Sequence, residues 1–375
     1  MAEHLSKIRR WLYPLSWLYG TAVHVRNKLF DRGILRSRSF DVPTICIGNL
    51  AVGGTGKTPH TEYLIRLLAK AGFHVAVLSR GYKRKSKGYI LANDSHSAKQ
   101  IGDEPYQMKS KYPDIRVAVD EDRAHGIHKL LQEGKPKTDV ILLDDAFQHR
   151  KVKAGLNILL TDYSRLWCDD TLLPAGNLRE PIQGKNRAQI IIVTKCPPDI
   201  KPIDFNIIGK RLCLYPYQQL YFSGLRYGQL KPVFPTQADR NNTFALKGNE
   251  QVLLVTGIAS PAPLLREVKA RAASVQLLEF GDHHDFSKKD FQLIDREFSK
   301  LSGPSRLIIT TEKDGARLKN HPGLPEALKP HLYMLPVEIK ILQNQQQIFN
   351  QNIINYVRTH STNSQFPEGK DAHSA

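Results

Sequence analysis

The segment Ala51-Val52-Gly53-Gly54-Thr55-Gly56-Lys57-Thr58 constrains this chain more than any other. It follows the apolar run Thr44-Ile45-Cys46-Ile47 and precedes a helical pattern that begins at Pro59. Strand, glycine-rich turn and helix in that order form the setting of a phosphate-binding loop. Glycines let the backbone curl so that several amides face one anion. The following helix adds the partial positive charge of its N-terminus. Gly53, Gly54, Thr55 and Gly56 are the candidate cradle. Lys57 can reach the β/γ-phosphates, and Thr58 offers a hydroxyl to Mg²⁺. Pro59 suits the first helical turn, where its missing amide is no loss. Ala51 stands where the strict pattern has Gly, which requires only a negative φ at that position.

The rest of the chain repeats the strand–helix alternation. Apolar runs predict strands at Thr44–Ile47, Val75–Ser79, Arg116–Val119, Val140–Leu143, Asn157–Leu160 and Ile190–Thr194, with helices such as Glu62–Ala71 and Arg123–Gln132 between them. Continuous apolar strands separated by helices predict a parallel sheet covered on both faces. From Pro197 to Ala238 the pattern breaks into a segment rich in Pro, Tyr and Gln, read as a connector with a strand or two. A second series follows: Gln251–Thr256, a helix from Pro263, Val275–Glu279, a helix around Phe291–Leu301, Leu307–Thr310, and a last helix around Leu342–Val357. The expected fold class is α/β: a P-loop NTPase-like parallel sheet covered by helices over residues 1–200, a connector over 201–238, a second, smaller α/β domain over 239–358, and a disordered polar tail over 359–375.

Lys+Arg 54 against Asp+Glu 36 gives a net charge of +18, which predicts an anionic partner. No RNP-like, helix-turn-helix or zinc-finger pattern accompanies that charge, so no nucleic-acid partner is expected. Cys46, Cys168, Cys196 and Cys213 show no C-x-x-C spacing, which predicts a reducing compartment without disulfides or zinc. No apolar run reaches the ~18–20 residues of a membrane span, and the polar start gives no cleavable signal. The stretch Trp11 to Gly20 nevertheless holds two of the three Trp residues, beside Arg9, Arg10, Arg26 and Lys28. Aromatic and basic residues together suit the lipid–water boundary. A helix packed on the protein's own core is the alternative, and membrane contact is the favoured reading. A monomer is expected.

A phosphate-binding loop needs a metal partner, ordinarily an Asp at the end of a neighbouring strand. Val140-Ile141-Leu142-Leu143 runs into Asp144-Asp145, and two adjacent carboxylates repel unless a cation sits beside them. Asp103, in Gly102-Asp103-Glu104-Pro105, is by spacing alone a helix cap before it is a proton-accepting base. In Asp282-His283-His284-Asp285 adjacent imidazoles face different ways, so one His oriented by a carboxylate is the better reading than a shared metal. Leu173 to Glu180 places Arg179 in a Pro/Gly loop, and Ser79 to Lys85 is a basic stretch after a strand; each alone is weak. Thr194-Lys195-Cys196-Pro197 lacks the Asp of a guanine-reading motif, which leaves ATP favoured.

In combination these stretches resemble the tetraacyldisaccharide 4′-kinase family of lipid A biosynthesis. They are Gly48-Asn49-Leu50 with Gly53 to Pro59, Ser79-Arg80-Gly81-Tyr82, Gly102 to Pro105, Leu143 to His149, Pro174 to Glu180, Asp282-His283-His284 and Thr311-Glu312-Lys313-Asp314. Ala146 stands where the family usually has Gly. The resemblance implies a peripheral, monotopic kinase at the cytoplasmic face of the bacterial inner membrane. It would move the γ-phosphate of ATP, with Mg²⁺, to the 4′-hydroxyl of a tetraacylated disaccharide 1-phosphate. It makes Asp103 the general base, overturning the cap reading, with His283 assisting and the second domain swinging to bring it in. It carries Arg179 over as a nucleotide-binding group and Glu180 as a metal ligand beside Thr58, Asp144 and Asp145. The competing class is an NTPase switch or chaperone acting on an acidic protein partner.

Overall fold

The structure is a computed structural model and describes residues 9–133, 136–235, 244–258, 260–282, 284–303, 305–319 and 321–363. Helix α1 (Tyr13–Asp31) is followed by β1 (Thr44–Asn49), α2 (Lys57–Lys70), β2 (Val75–Ser79) and a short β3 (Ile90–Leu91). Next come α3 (Ala98–Ile101), α4 (Asp103–Lys111), β4 (Arg116–Val119), α5 (Arg123–Gln132), β5 (Val140–Asp144), β6 (Leu156–Asp162) and β7 (Ile190–Thr194). The chain continues through α6 (Pro202–Leu212), β8 (Gln219–Tyr227), β9 (Lys231–Pro232), β10 (Gln251–Thr256), α7 (Ala262–Lys269) and β11 (Ser274–Glu279). It ends with α8 (Lys288–Ser299), β12 (Arg306–Thr311), α9 (Glu312–Lys319), β13 (Leu332–Leu335), β14 (Val337–Ile341) and α10 (Gln346–Asn363).

These elements divide into two compact units. The first comprises Met1–His96, Met108–Gly224 and Ile339–Ala375. Its sheet has the order β14-β8-β7-β6-β1-β5-β2-β4-β3. The run from β4 to β8 is parallel throughout, and β3 adds an antiparallel edge. The chain leaves β1 toward β2 and β4, returns to β5, then crosses to β6 on the other side of β1. That reversal opens a crevice at the carboxyl ends of β1 and β5, where open α/β sheets hold their ligands. Every residue of β1, β2, β5 and β7 is buried, as strands covered on both faces require. Helix α10 packs here as well: Phe349, Ile353 and Val357 are buried, and the Tyr356 hydroxyl donates to the Thr44 carbonyl at 3.1 Å.

The second unit comprises Ser97–Gln107 and Leu225–Glu338, and its sheet has the order β11-β10-β12-β13-β9. Alternate residues of β10 face opposite sides. Leu253 and Val255 enter a core with Phe291, Ile294 and Phe298 of α8, while Val252 and Leu254 enter another with Leu264 and Val268 of α7.

Four boundaries differ from the sequence expectation. Between 201 and 235 the expected strands are β8 and β9, but Pro202 also opens the helix α6, and the chain to Gly224 belongs to the first unit, with β8 beside β7. The last helix returns to the first unit, and Ser97–Gln107, with Asp103, belongs to the second. The tail expected from 359 is helical to Asn363, and residues 364–375 lie outside the described residues.

Helix α1 has two faces. Ser16 and Gly20 are buried; Ser16 Oγ donates to the Leu172 carbonyl at 3.0 Å, and the Tyr19 hydroxyl donates to the Arg179 carbonyl at 2.7 Å. A side chain at Gly20 would strike Leu172 at 2.6 Å. Trp17, Leu18 and Val25 on the helix and Trp11 just before it are exposed, both tryptophans by about three quarters (77% and 75%). Among the described residues, no helix is long and apolar enough to cross a membrane.

Candidate active site

The glycine-rich segment forms the turn between β1 and α2. Gly53 and Gly56 take positive φ values of 105° and 85°, a region open to glycine. Ala51 is not among the positive-φ residues and pairs in a short antiparallel bridge with Leu178, so the Ala costs nothing there. The turn is braced from four sides. Val52 N donates to the Asn177 carbonyl (2.8 Å), and Arg165 Nη2 to the Val52 carbonyl (2.9 Å). Asn49 Nδ2 donates to Thr55 Oγ1 (2.8 Å), and Thr194 Oγ1 to the Thr55 carbonyl (2.9 Å). No side chain caps α2, so its first-turn amides stay open to an anion. His60, one turn into α2, is buried and faces the Gly56 carbonyl through Nδ1 (2.7 Å) and Ser223 Oγ through Nε2 (3.0 Å). Burial lowers its pKa to about 4, so it sits neutral beneath the loop.

Asp144 and Asp145 end β5 in the crevice. Asp144 is buried and accepts from Thr61 Oγ1 and Ser79 Oγ, each at 3.3 Å. Asp145 turns outward through a left-handed backbone (φ 47°), a conformation Asp tolerates better than most residues. Arg179 clamps it with two donors, Nη1 to Oδ2 at 3.2 Å and Nη2 to Oδ1 at 3.0 Å, and Lys57 Nζ lies 3.7 Å from Oδ2. Burial would raise the Asp145 pKa; Lys57 and Arg179 outweigh it and hold the carboxyl below the ordinary range. Lys57 and Arg179 thus set two side-chain cations beside Asp145.

A hard divalent cation takes oxygen donors. The Thr58 hydroxyl and the ionised Asp145, with Asp144 beside it at the same strand end, are such donors, so the residues present fit Mg²⁺. Glu180, expected as a further metal ligand, is also held by protein donors. Its buried carboxylate accepts from Arg187 Nη2 (2.9 and 3.0 Å), Gln148 Nε2 (2.9 Å) and Asn27 Nδ2 (3.3 Å), which leaves its oxygens committed to protein donors. Among the described residues no three His, Cys, Asp or Glu stand together as a ready-made metal cluster. Among the described residues, Arg179 Nε, Gln148 Oε1 and Asn27 Oδ1 of this network, and Arg123 Nε and His149 Nε2 elsewhere in the unit, are buried without a protein partner.

Asp103 is the first residue of α4 in the second unit, and its carboxylate accepts from Arg317 of α9, from Nε at 3.1 Å and also from Nη2. His283 lies outside the described residues. Its neighbour His284 does have an orienting carboxylate, but the partner is Asp290 (Nε2 to Oδ2, 3.0 Å) rather than Asp282 or Asp285. Asp282 pairs instead with Lys313 at 3.2 Å.

Comparison with known proteins decides the family. The family description "Tetraacyldisaccharide-1-P 4′-kinase" matches residues 8–358. The chain belongs to the tetraacyldisaccharide 4′-kinase family. A tetraacyldisaccharide 4′-kinase of Bacteroides thetaiotaomicron is 63% identical over 379 residues, covering 100% of both chains. One from Bacteroides fragilis is 64% identical over 375 residues, with 100% of both covered, and one from Porphyromonas gingivalis 45% over 359, covering 94% and 98%. The crystal structure of LpxK from Aquifex aeolicus in complex with ATP matches with a TM-score of 0.70 and 29% identity, covering 93% of this chain and 99% of that one.

Within this kinase fold two groups escape the sequence argument. Arg123, the first residue of α5, is buried, and its Nη1 donates to the Asp120 carbonyl at 2.5 Å. Burial lowers its pKa, while Asp144 and then Asp145 pull the other way, which places a third cation at the crevice. His149 is pushed down to about 4 by burial, with Arg123 adding to the effect, so it is a neutral imidazole. The Asp-Arg pair at the start of α5 reads as an ordinary helix cap, and nothing local in sequence separates Arg123 from a surface charge.

Proposed function

We infer that this chain transfers the γ-phosphoryl group of ATP to the 4′-hydroxyl of a tetraacylated glucosamine disaccharide 1-phosphate. The observation that carries the reading is the uncapped N-terminus of α2, with Lys57 and Thr58 at its head and the carboxylates of β5 beside it. The acceptor oxygen attacks the γ-phosphorus, the bond to the β–γ bridging oxygen breaks, ADP leaves, and Asp103 accepts the hydroxyl proton, assisted by His283. Gly53, Gly54, Thr55 and Gly56 present amides to the phosphates. Lys57 moves from Asp145 to the β/γ-phosphates, and Arg179 stays close enough to follow. Thr58, Asp144 and Asp145 would hold Mg²⁺, which neutralises charge between the β- and γ-phosphates. The phosphoryl transition state is loose, so positioning and charge supply most of the rate.

The exposed Trp11 and Trp17, in a basic N-terminal stretch, support docking on an anionic membrane surface at its cytoplasmic face, where an acylated substrate resides. The test is transfer of labelled γ-phosphate from Mg·ATP to a tetraacyldisaccharide 1-phosphate in detergent micelles. Labelled lipid is expected from the wild type. Asp103→Asn is expected to lose roughly 10²–10⁴-fold in kcat while still binding ATP. Release of free phosphate without labelled lipid would overturn the reading in favour of a hydrolytic switch.

A further inference from the structure

The motif Thr311-Glu312-Lys313-Asp314 has no part in the mechanism above, yet it sits at the carboxyl edge of the second sheet, where β12 ends and α9 begins. Thr311 caps α9: its Oγ1 accepts from Asp314 N at 3.0 Å and donates to Asp314 Oδ2 at 2.8 Å. The Asp314 carboxylate is fully buried. The Gly257 amide, just past β10, donates to Oδ2 at 2.9 Å, and Arg317 Nη1 donates to Oδ1 at 3.1 Å. A side chain at Gly257 would come within 3.0 Å of Asp314 Oδ1, so the glycine permits that close approach. Arg317 turns its remaining edge, Nε and Nη2, to a single oxygen of Asp103, Oδ2.

A guanidinium is a rigid planar fork, and an Arg side chain is otherwise free about several torsions. Asp314 removes that freedom from one side, and Asp314 is itself held by a backbone amide and a helix cap. Rigidity therefore passes from the sheet edge through Asp314 and Arg317 to the Asp103 carboxylate. The side chain of Arg317 is only 11% exposed, against 25% for Asp103. The fork is thus seated inside the unit while the carboxylate is the more accessible end.

We propose that Arg317, locked by Asp314, is a positioning residue that fixes the Asp103 carboxylate for proton abstraction. This rests on the reading of Asp103 as the base. It gives the motif from Thr311 to Asp314 a purpose: it anchors the fork rather than touching substrate. Displacing a catalytic group by about 1 Å costs on the order of 10²-fold.

The experiment compares Arg317→Met, Arg317→Lys, Asp103→Asn and the double variant Asp103→Asn/Arg317→Met in the micelle transfer assay, with melting followed in parallel. Arg317→Met is expected to lower kcat by about 10–100-fold with both KM values within about twofold of wild type. Arg317→Lys, which keeps the charge and loses the fork, recovers part of the rate. The double variant is no slower than Asp103→Asn alone, because the two residues act as one unit. A kcat for Arg317→Met within twofold of wild type overturns the proposal. So does a loss of kcat and KM together with a lowered melting temperature and no recovery by Lys, which marks a structural staple. Normal turnover by Asp103→Asn defeats the base assignment itself, whereas an inactive Asp103→Asn beside an undiminished Arg317→Met defeats only this inference.

Discussion

Each sheet has a strand-to-helix turn at its carboxyl edge, and the two turns are used differently. In the first unit, the turn from β1 into α2 is glycine-rich and the helix has no side-chain cap, so its amides await an anion from outside. In the second, the Gly257 amide after β10 is already taken by the protein's own Asp314, and α9 is capped by Thr311. Both edges carry an Asp gripped by an Arg: Asp145 by Arg179, and Asp314 by Arg317. The first pair borders an open cradle, with Lys57 beside it; the second is sealed and passes its order on to Asp103. One architecture thus supports an anion site where the loop leaves donors unfilled, and a brace where a carboxylate fills them.

That contrast breaks most readily at Lys57. Lys57→Ala is expected to reduce phosphoryl transfer by roughly 10²–10⁴-fold, the scale of losing a preorganised charge at the transferring group. Because Lys57 borders an open site, its melting curve should stay near that of the wild type. A protein that melts early would show the loop's charge to be structural, as the second edge is. Asp314→Ala should reverse the pattern. It strips a buried Arg317 of one of its two carboxylates, and breaking a buried ion pair costs up to about 3–5 kcal/mol. Denaturant unfolding should read that loss, with nucleotide binding at the α2 N-terminus unchanged. If nucleotide binding falls with stability, the two edges are not energetically separate.

Sequence pattern located the first edge far better than the second, for a physical reason. The strands Val75–Ser79, Arg116–Val119, Ile190–Thr194 and Gln251–Thr256 and the helix Arg123–Gln132 coincide with the structure because each is an apolar or periodic run with polar punctuation at both ends. The phosphate loop and Asp144-Asp145 are legible because their chemistry is local: loop, helix and strand end lie within short spans. β8 is not so legible, since Gly224 and alternating Gln, Ser and Arg dilute its apolar signal, and α6 is masked by the prolines around it. Contacts that join distant segments leave no local trace. Ser79 reaches Asp144 across 65 residues, and Arg317 reaches Asp103 across 214. Glu180 sits in a motif that suggests a metal ligand, while in the structure its carboxylate also accepts from the nearby Arg187 and from the distant Gln148 and Asn27.

The first edge is open in its donors but dry beneath them, and pH tests that distinction. His60 lies under the loop with its pKa lowered from 6.5 to about 4 by burial. The unfolded chain takes up a proton as pH falls through about 6.5, and the folded chain does so only near 4. Stability is therefore fully present above 6.5 and is lost as pH drops toward 4, by about 3 kcal/mol for this group. His149, also lowered to about 4, acts in the same direction. Unfolding free energies measured from pH 7 to pH 4 should fall along that course. His60→Asn, which keeps a donor for the Gly56 carbonyl, should flatten part of it. An unchanged slope in the variant would mean that water reaches His60 and that the base of the loop is not sealed.

The smallest effect belongs to a surface that neither edge touches. Trp11 and Trp17 are exposed, while Ser16, Tyr19 and Gly20 of the same segment hold α1 against the first unit. Replacing both tryptophans with Ser should leave the unfolding free energy within about 0.5 kcal/mol, since exposed side chains away from packed contacts contribute little. Burying even part of two indoles in a lipid interface is worth more than about 1.4 kcal/mol, so sedimentation with anionic vesicles should weaken by at least about tenfold. The turnover of substrate dispersed in detergent should change little, because the micelle brings the acceptor to the protein in place of the bilayer. If vesicle binding persists undiminished while stability falls, α1 is a packing helix on all sides and the membrane contact lies elsewhere in the basic surface.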